Sequence, residues 1–193
     1  METLILASAS PRRQELLKTV GIPFRAAPSN IDETINEGEG PKEAALRLAG
    51  GKINAFLQNE RSIGCHWVIA ADTFIYLDGA IYGKANSRDD AEQLLKKLSM
   101  RRHQVYTGLA VYNRGEGRTV TTVEVTEVEF LRLTPEDIDW YLDSGEWQDA
   151  AGSYKIQGKA QVFIKAVHGS VSNVMGLPLH RLYAILKELN YKF

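Results

Sequence analysis

Residues 8–13 read SASPRR and set two arginines where the first turn of a helix should be. Ser10 followed by Pro11 is a helix start, with Ser at the cap and Pro at the first helical position. That end of a helix already carries partial positive charge. Basic residues there destabilise an exposed helix by roughly 0.3–1 kcal/mol each. Either Arg12 and Arg13 point into solvent and the cost is tolerated, or an anion belongs there. Backbone N–H groups at a helix start following a strand suit a phosphate. Ser8 and Ser10 add hydroxyls, and the two guanidinium forks match phosphate oxygens. A Ser-Pro cap with two solvated arginines is the competing reading.

Asp72 sits inside WVIAADTFIYL, residues 67–77, the strongest strand signal in the chain. A carboxylate buried in an apolar strand needs a cation or a metal, unless it lies at a strand end and caps a neighbouring turn. Thr73 follows it on the opposite pleat. The loop segment IDET supplies Asp32 and Glu33. Acidic loops are commonly just solvated, but a loop carboxylate together with Asp72 makes an oxygen-only site suited to Mg²⁺ or Mn²⁺ with bound phosphates. Lys52 and Lys84 are point charges suited to phosphate, or else surface lysines.

Other chemistries lack their residues. His66, His103, His168 and His180 show no metal-ligand spacing, and Cys65 is the single cysteine, so a zinc site has little support. There is no phosphate-binding G-x-x-x-x-G-K-[ST], no G-x-G-x-x-G and no serine in a nucleophile elbow. What remains is metal-assisted hydrolysis or transfer at a phosphate. These residues do not identify the substrate.

The elements that must position these residues alternate. Residues 3–7 read as a strand, 11–20 as a helix ended by Gly21, 24–28 as a strand and 29–41 as an acidic loop. Residues 43–58 read as a helix weakened in its middle by Gly50 and Gly51. After the strand at 67–77 come a turn and return at 78–84 and an amphipathic helix at 88–99. Two long strands follow at 103–113 and 118–133, joined through GEG. A helix capped by Thr134 covers 134–145, then a loop with a short strand at 151–158, a strand at 160–169, a loop at 171–176 and a closing helix at 177–189. Strands alternating with helices, then antiparallel strands, predict one domain over residues 1–193 built on a mixed α/β sheet.

The chain has 193 residues, 44% hydrophobic and 24% charged, ordinary for a soluble globular domain. A formal net charge of −1 offers no general attraction to nucleic acid or an anionic membrane, so neither is expected as a partner. One cysteine excludes an intramolecular disulfide, the start lacks a signal-peptide pattern, and no apolar run approaches the ~18 residues of a spanning helix. A cytoplasmic location is expected.

SASPRR, LAGGK, AADT, GK at 83–84, AGSYKIQG and NVMGLPLHRL occur in that order and together resemble the Maf family of nucleotide pyrophosphatases. The resemblance runs from residue 4 to about residue 186. It implies a metal-dependent enzyme that hydrolyses a nucleoside triphosphate to the monophosphate and pyrophosphate. It also implies an elongated, twisted mixed sheet flanked by helices, in two lobes with an intervening cleft, similar to inosine triphosphate pyrophosphatases. The family's motif residues fall on Ser8, Arg12, Arg13, Lys52, Asp72, Lys84 and Gln157, and Glu33 matches the acidic residue that helps Asp72 hold the metal. By the same resemblance a homodimer is expected.

Within the family, AGSYKIQG resembles the branch acting on dTTP and UTP, whereas a branch acting on 7-methyl-GTP carries Glu at position 157. A neutral amide offers both a donor and an acceptor, as a uracil or thymine edge requires; a carboxylate offers only acceptors. Arg12 and Thr73 stand at other positions that separate the branches. The resemblance thus implies that Asp72, Lys84 and Lys52 serve catalysis, that Ser8, Arg12, Arg13, Thr73 and Gln157 bind substrate, and that Glu33 and Asp72 hold Mg²⁺ or Mn²⁺. Three positions depart from the family pattern: Ala85 replaces a proline, Met100 a glycine and Trp147 a proline. Maf-like proteins are also associated with inhibition of septum formation, so a septum-formation regulator or nucleotide-binding protein is an alternative expectation, as is a pyrophosphatase for another nucleotide such as 7-methyl-GTP.

Overall fold

The computed structural model describes residues 1–58 and 64–193. Among the described residues seven strands form one open mixed sheet: β1 (Leu4–Leu6), β2 (Phe24–Ala26), β3 (Trp67–Leu77), β4 (Ala80–Tyr82), β5 (Arg102–Asn113), β6 (Arg118–Phe130) and β7 (Ile164–His168). Their order is β2-β1-β3-β5-β6-β7, with β4 paired to β3. β1 runs parallel to both β2 and β3, whereas β3–β4 and β6–β7 are antiparallel. The helices are α1 (Pro11–Thr19), α2 (Pro41–Leu57), α3 (Arg88–Leu98), α4 (Pro135–Asp143), α5 (Val171–Val174) and α6 (Leu179–Glu188). Among the described residues no helix is long and apolar enough to cross a membrane.

The chain divides into two compact units. The first comprises residues 1–72, 107–124 and 176–193; the second comprises 73–106 and 125–175. The long strands β3, β5 and β6 each contribute to both. The first unit buries Ile5, Val68 and Ala70 against Ala49, Ile53 and Phe56 of α2. The second packs Leu94, Leu95 and Leu98 of α3 and Ile138, Tyr141 and Leu142 of α4 around Val105, Val128 and Phe130.

Local chemistry explains most element ends. Ser87 caps α3 by accepting from the Asp90 N–H, with Asp89 and Asp90 in its first turn and Lys96 and Lys97 in its last, all matched to the helix dipole. Thr134 and Asp137 form a reciprocal capping box on α4. Gly21 follows α1 at φ +68°.

Three expectations are corrected. Residues 160–169 are not one strand: Lys159–Phe163 is a 3₁₀ helix, and only Ile164–His168 is extended. The Glu146 carboxylate accepts the Lys159 N–H at 2.8 Å, giving the start of this turn a partner outside any strand ladder. The loop expected at 171–176 contains the short helix α5, because Ser170 caps it onto the Asn173 N–H. The short strand expected within 151–158 reduces to one bridge, Lys84 to Ala151; turns occupy much of the rest.

Met100 adopts φ +60°, a left-handed conformation that favours glycine. Ala85 and Trp147 pack against the second core.

Gly50 and Gly51 do not interrupt α2. Its approach to β5 depends on another glycine. A Cβ built on Gly108 would stand 1.9 Å from the Ala45 carbonyl oxygen, a backbone atom that cannot swing aside. Gly108→Ala is therefore expected to cost at least about 3 kcal/mol, above the usual range for an overpacked methyl. Urea denaturation checks this, and an unchanged midpoint would contradict the packing described.

Candidate active site

The first unit gathers six of the candidate residues. Ser8 follows β1 and is buried. Its Oγ accepts from the Ser10 N–H at 3.2 Å and from Arg13 Nη1 at 2.9 Å. With both lone pairs engaged, the hydroxyl's remaining capacity is to donate, which suits an anionic partner. Ser10 occupies the cap position as expected, but its side chain makes no cap bond.

Arg12 and Arg13 differ in environment. Arg13 is buried, and its Nε donates to the Gly176 carbonyl at 2.8 Å. It ties the start of α1 to the NVMG segment. Burial lowers its pKa; Asp72 and Glu33 are close enough to push it back up, and Arg12 opposes them. Arg12 is half-buried beside it.

Lys52, on α2, lies between two carboxylates. Its Nζ stands 2.5 Å from Asp72 Oδ1 on β3 and 2.6 Å from Glu33 Oε1 on the loop before α2. The side chains of Lys52 and Asp72 are 8% and 11% exposed, so this pair is screened little by water, whereas Glu33 at 57% meets it from the solvent side. The Asp72 burial is thus resolved by a cation from its own chain. Glu33 reaches the cluster as expected. Asp32 turns back instead on Thr34, accepting from its N–H at 2.9 Å and its Oγ1 at 2.6 Å.

The second unit holds Thr73, Lys84 and Gln157. Thr73 alternates with Asp72 and shares a face with Ile75. A Cβ on Gly152 would lie 3.0 Å from Ile75 Cγ2, so the AGSYKIQG loop packs on that same face. Lys84 bridges Ala151 through its backbone and lies 3.5 Å from Asp149 Oδ1. Gln157 is half-buried; its Oε1 is shut from solvent and has no hydrogen-bond partner among the described residues.

Sequence reasoning missed three partners that the structure sets beside these residues or their loop: the Gly176 carbonyl on Arg13, Asp149 near Lys84, and His103, hydrogen-bonded to Tyr154. For His103 a signal existed. His103, Val105 and Thr107 alternate, which puts the histidine on an inward face.

The first unit's residues can neutralise an anion and hold a cation with two carboxylates; in the second unit Gln157 presents an amide. The family model described as Maf-like protein matches residues 3–189. A dTTP/UTP pyrophosphatase of Bacillus cereus is 42% identical over 190 residues, covering 98% of this chain and 97% of its own length. One of Bacillus anthracis matches at the same 42% identity and the same coverage.

The Lys52–Asp72 pair generates its own prediction. Lys52→Met strands the buried Asp72 carboxylate and should cost about 3 kcal/mol, whereas Asp72→Asn leaves Lys52 paired with Glu33 and should cost less. The double variant should lose clearly less than their sum. Additive losses in a denaturation cycle would show that the two groups are not coupled.

Proposed function

The chain belongs to the Maf-like family, and on that premise we propose that it hydrolyses pyrimidine nucleoside triphosphates, dTTP and UTP, to the monophosphate and pyrophosphate. The observation that carries this reading is the convergence of Glu33 and Asp72, from separate segments, on one cation position now satisfied by Lys52. The 42% identity to proteins named dTTP/UTP pyrophosphatase supports the substrate class.

The two carboxylates fit a divalent ion. They are oxygen donors converging on a single positive charge, and Mg²⁺ is commonly held by one or two carboxylates with substrate phosphates completing its shell. Glu33 and Asp72 would hold it. When bound, the ion supplies charge neutralisation and polarisation at phosphorus.

The chain's own residues do the rest. Asp72 orients the attacking water and accepts its proton. Lys52, adjoining both carboxylates, and Lys84 counter charge on the triphosphate and the leaving pyrophosphate. Arg12 binds phosphate oxygens. Arg13 holds Ser8, whose hydroxyl donates to the same anion. Thr73 and Gln157 read the base, Gln157 through an amide whose oxygen the protein leaves unpaired among the described residues.

Incubation with UTP or dTTP and Mg²⁺ should release pyrophosphate, and chelation of the metal should stop it. Asp72→Asn should lower kcat by about 100-fold or more while circular dichroism shows a folded chain; full metal-dependent turnover in this variant would remove Asp72 from the mechanism. Gln157→Glu should depress UTP and dTTP hydrolysis selectively across a nucleotide panel. An unchanged ranking would remove Gln157 from base recognition.

A further inference from the structure

Gln157 has a buried amide oxygen with no partner among the described residues, so that atom has no hydrogen bond to aim it. Its orientation must come from the loop that carries it. Residues 151–158 are pinned at three points. The Gly152 N–H donates to the Gly83 carbonyl at 3.0 Å. The Lys155 N–H donates to the hydroxyl of the fully buried Tyr141 at 3.2 Å. The third pin is a side chain: Tyr154 Oη lies 2.8 Å from His103 Nε2.

This third pin is not what an apolar core requires. His103 is 2% exposed and Tyr154 5%. Both rings meet Phe130 edge-on, at centroid distances of 5.3 Å and 5.0 Å. Aliphatic and phenyl side chains would fill the same space without polar atoms to desolvate. The polar pair is incompletely compensated, since His103 Nδ1 is buried with no partner among the described residues. Burial holds the imidazole in its neutral form, with its pKa pushed down to about 4. What the pair adds over an apolar contact is direction. It fixes the far end of the Tyr154 ring at one point, three residues before Gln157.

We propose that His103 is a positioning residue for base selection: by holding the Tyr154 hydroxyl it fixes the 151–158 loop and so aims the Gln157 amide at the edge of the base. This rests on the reading of Gln157 given above. His103 and Tyr154 touch neither phosphate nor base in this account, so their loss alters discrimination and leaves the chemical step intact.

The test compares Tyr154→Phe, His103→Leu and His103→Gln with the unaltered enzyme and with Gln157→Ala. The readouts are kcat and KM for UTP, dTTP and CTP, together with melting temperature. Tyr154→Phe and His103→Leu should lower the UTP-to-CTP ratio of kcat/KM by about tenfold, through KM, with kcat within about twofold. His103→Gln, which keeps a hydrogen-bonding group, should recover most of the ratio. If His103→Leu does not fold, the conservative Tyr154→Phe and His103→Gln decide. An unchanged ratio in Tyr154→Phe, while Gln157→Ala collapses it, overturns the inference alone. An unchanged ratio in Gln157→Ala overturns base reading by Gln157 and the inference with it. Absence of pyrophosphate release from the unaltered enzyme overturns the proposed activity.

Discussion

Lys52 is the cation on which the candidate site depends. Asp72 occupies the middle of a strand whose neighbours Ala71 and Phe74 are buried, and a carboxylate there is tolerable only with a charge beside it. Lys52 supplies that charge at 2.5 Å and also reaches Glu33. It can do so because α2 lies close on the sheet, where Gly108 leaves room for the Ala45 carbonyl. A missing side chain on β5 is thus linked to the position of an ammonium on α2. The same ammonium keeps two carboxylates close together without repulsion.

The paired arginines at the start of α1 acquire separate explanations. Arg13 is a buried strut between Ser8 and Gly176, and its unfavourable place at a helix start is offset by Asp72 and Glu33 nearby. Arg12 remains half-buried and suited to an anion. The apparent conflict with helix electrostatics therefore comes from counting only the helix. The carboxylates that balance it stand 20 and 59 residues further along the chain than Arg13.

Much of this was legible in the sequence where local chemistry decides. The starts of α1 and α4 were marked by Ser-Pro and Thr-Pro, and β3 by its β-branched and aromatic run. Asp72 stood out because charge and apolar surroundings conflict at that point. Among the misread segments, one is decided by a partner outside it, whereas α5 follows from the local Ser170 cap. Residues 159–163 look extended by composition, yet they form a 3₁₀ turn whose first N–H meets Glu146. The Gly176 carbonyl is invisible as a ligand for Arg13 because every residue carries one. The histidines lack metal spacing, and only the alternation of His103 with Val105 marks it as buried.

Attack of water on the α-phosphorus would cleave the α–β phosphoanhydride and leave the water's oxygen on the nucleotide. Hydrolysis of UTP in ¹⁸O-labelled water, with products read by mass spectrometry, tests it most directly. The label is expected in UMP, and pyrophosphate is expected to leave unlabelled. Label in pyrophosphate, or release of UDP with inorganic phosphate, would contradict it.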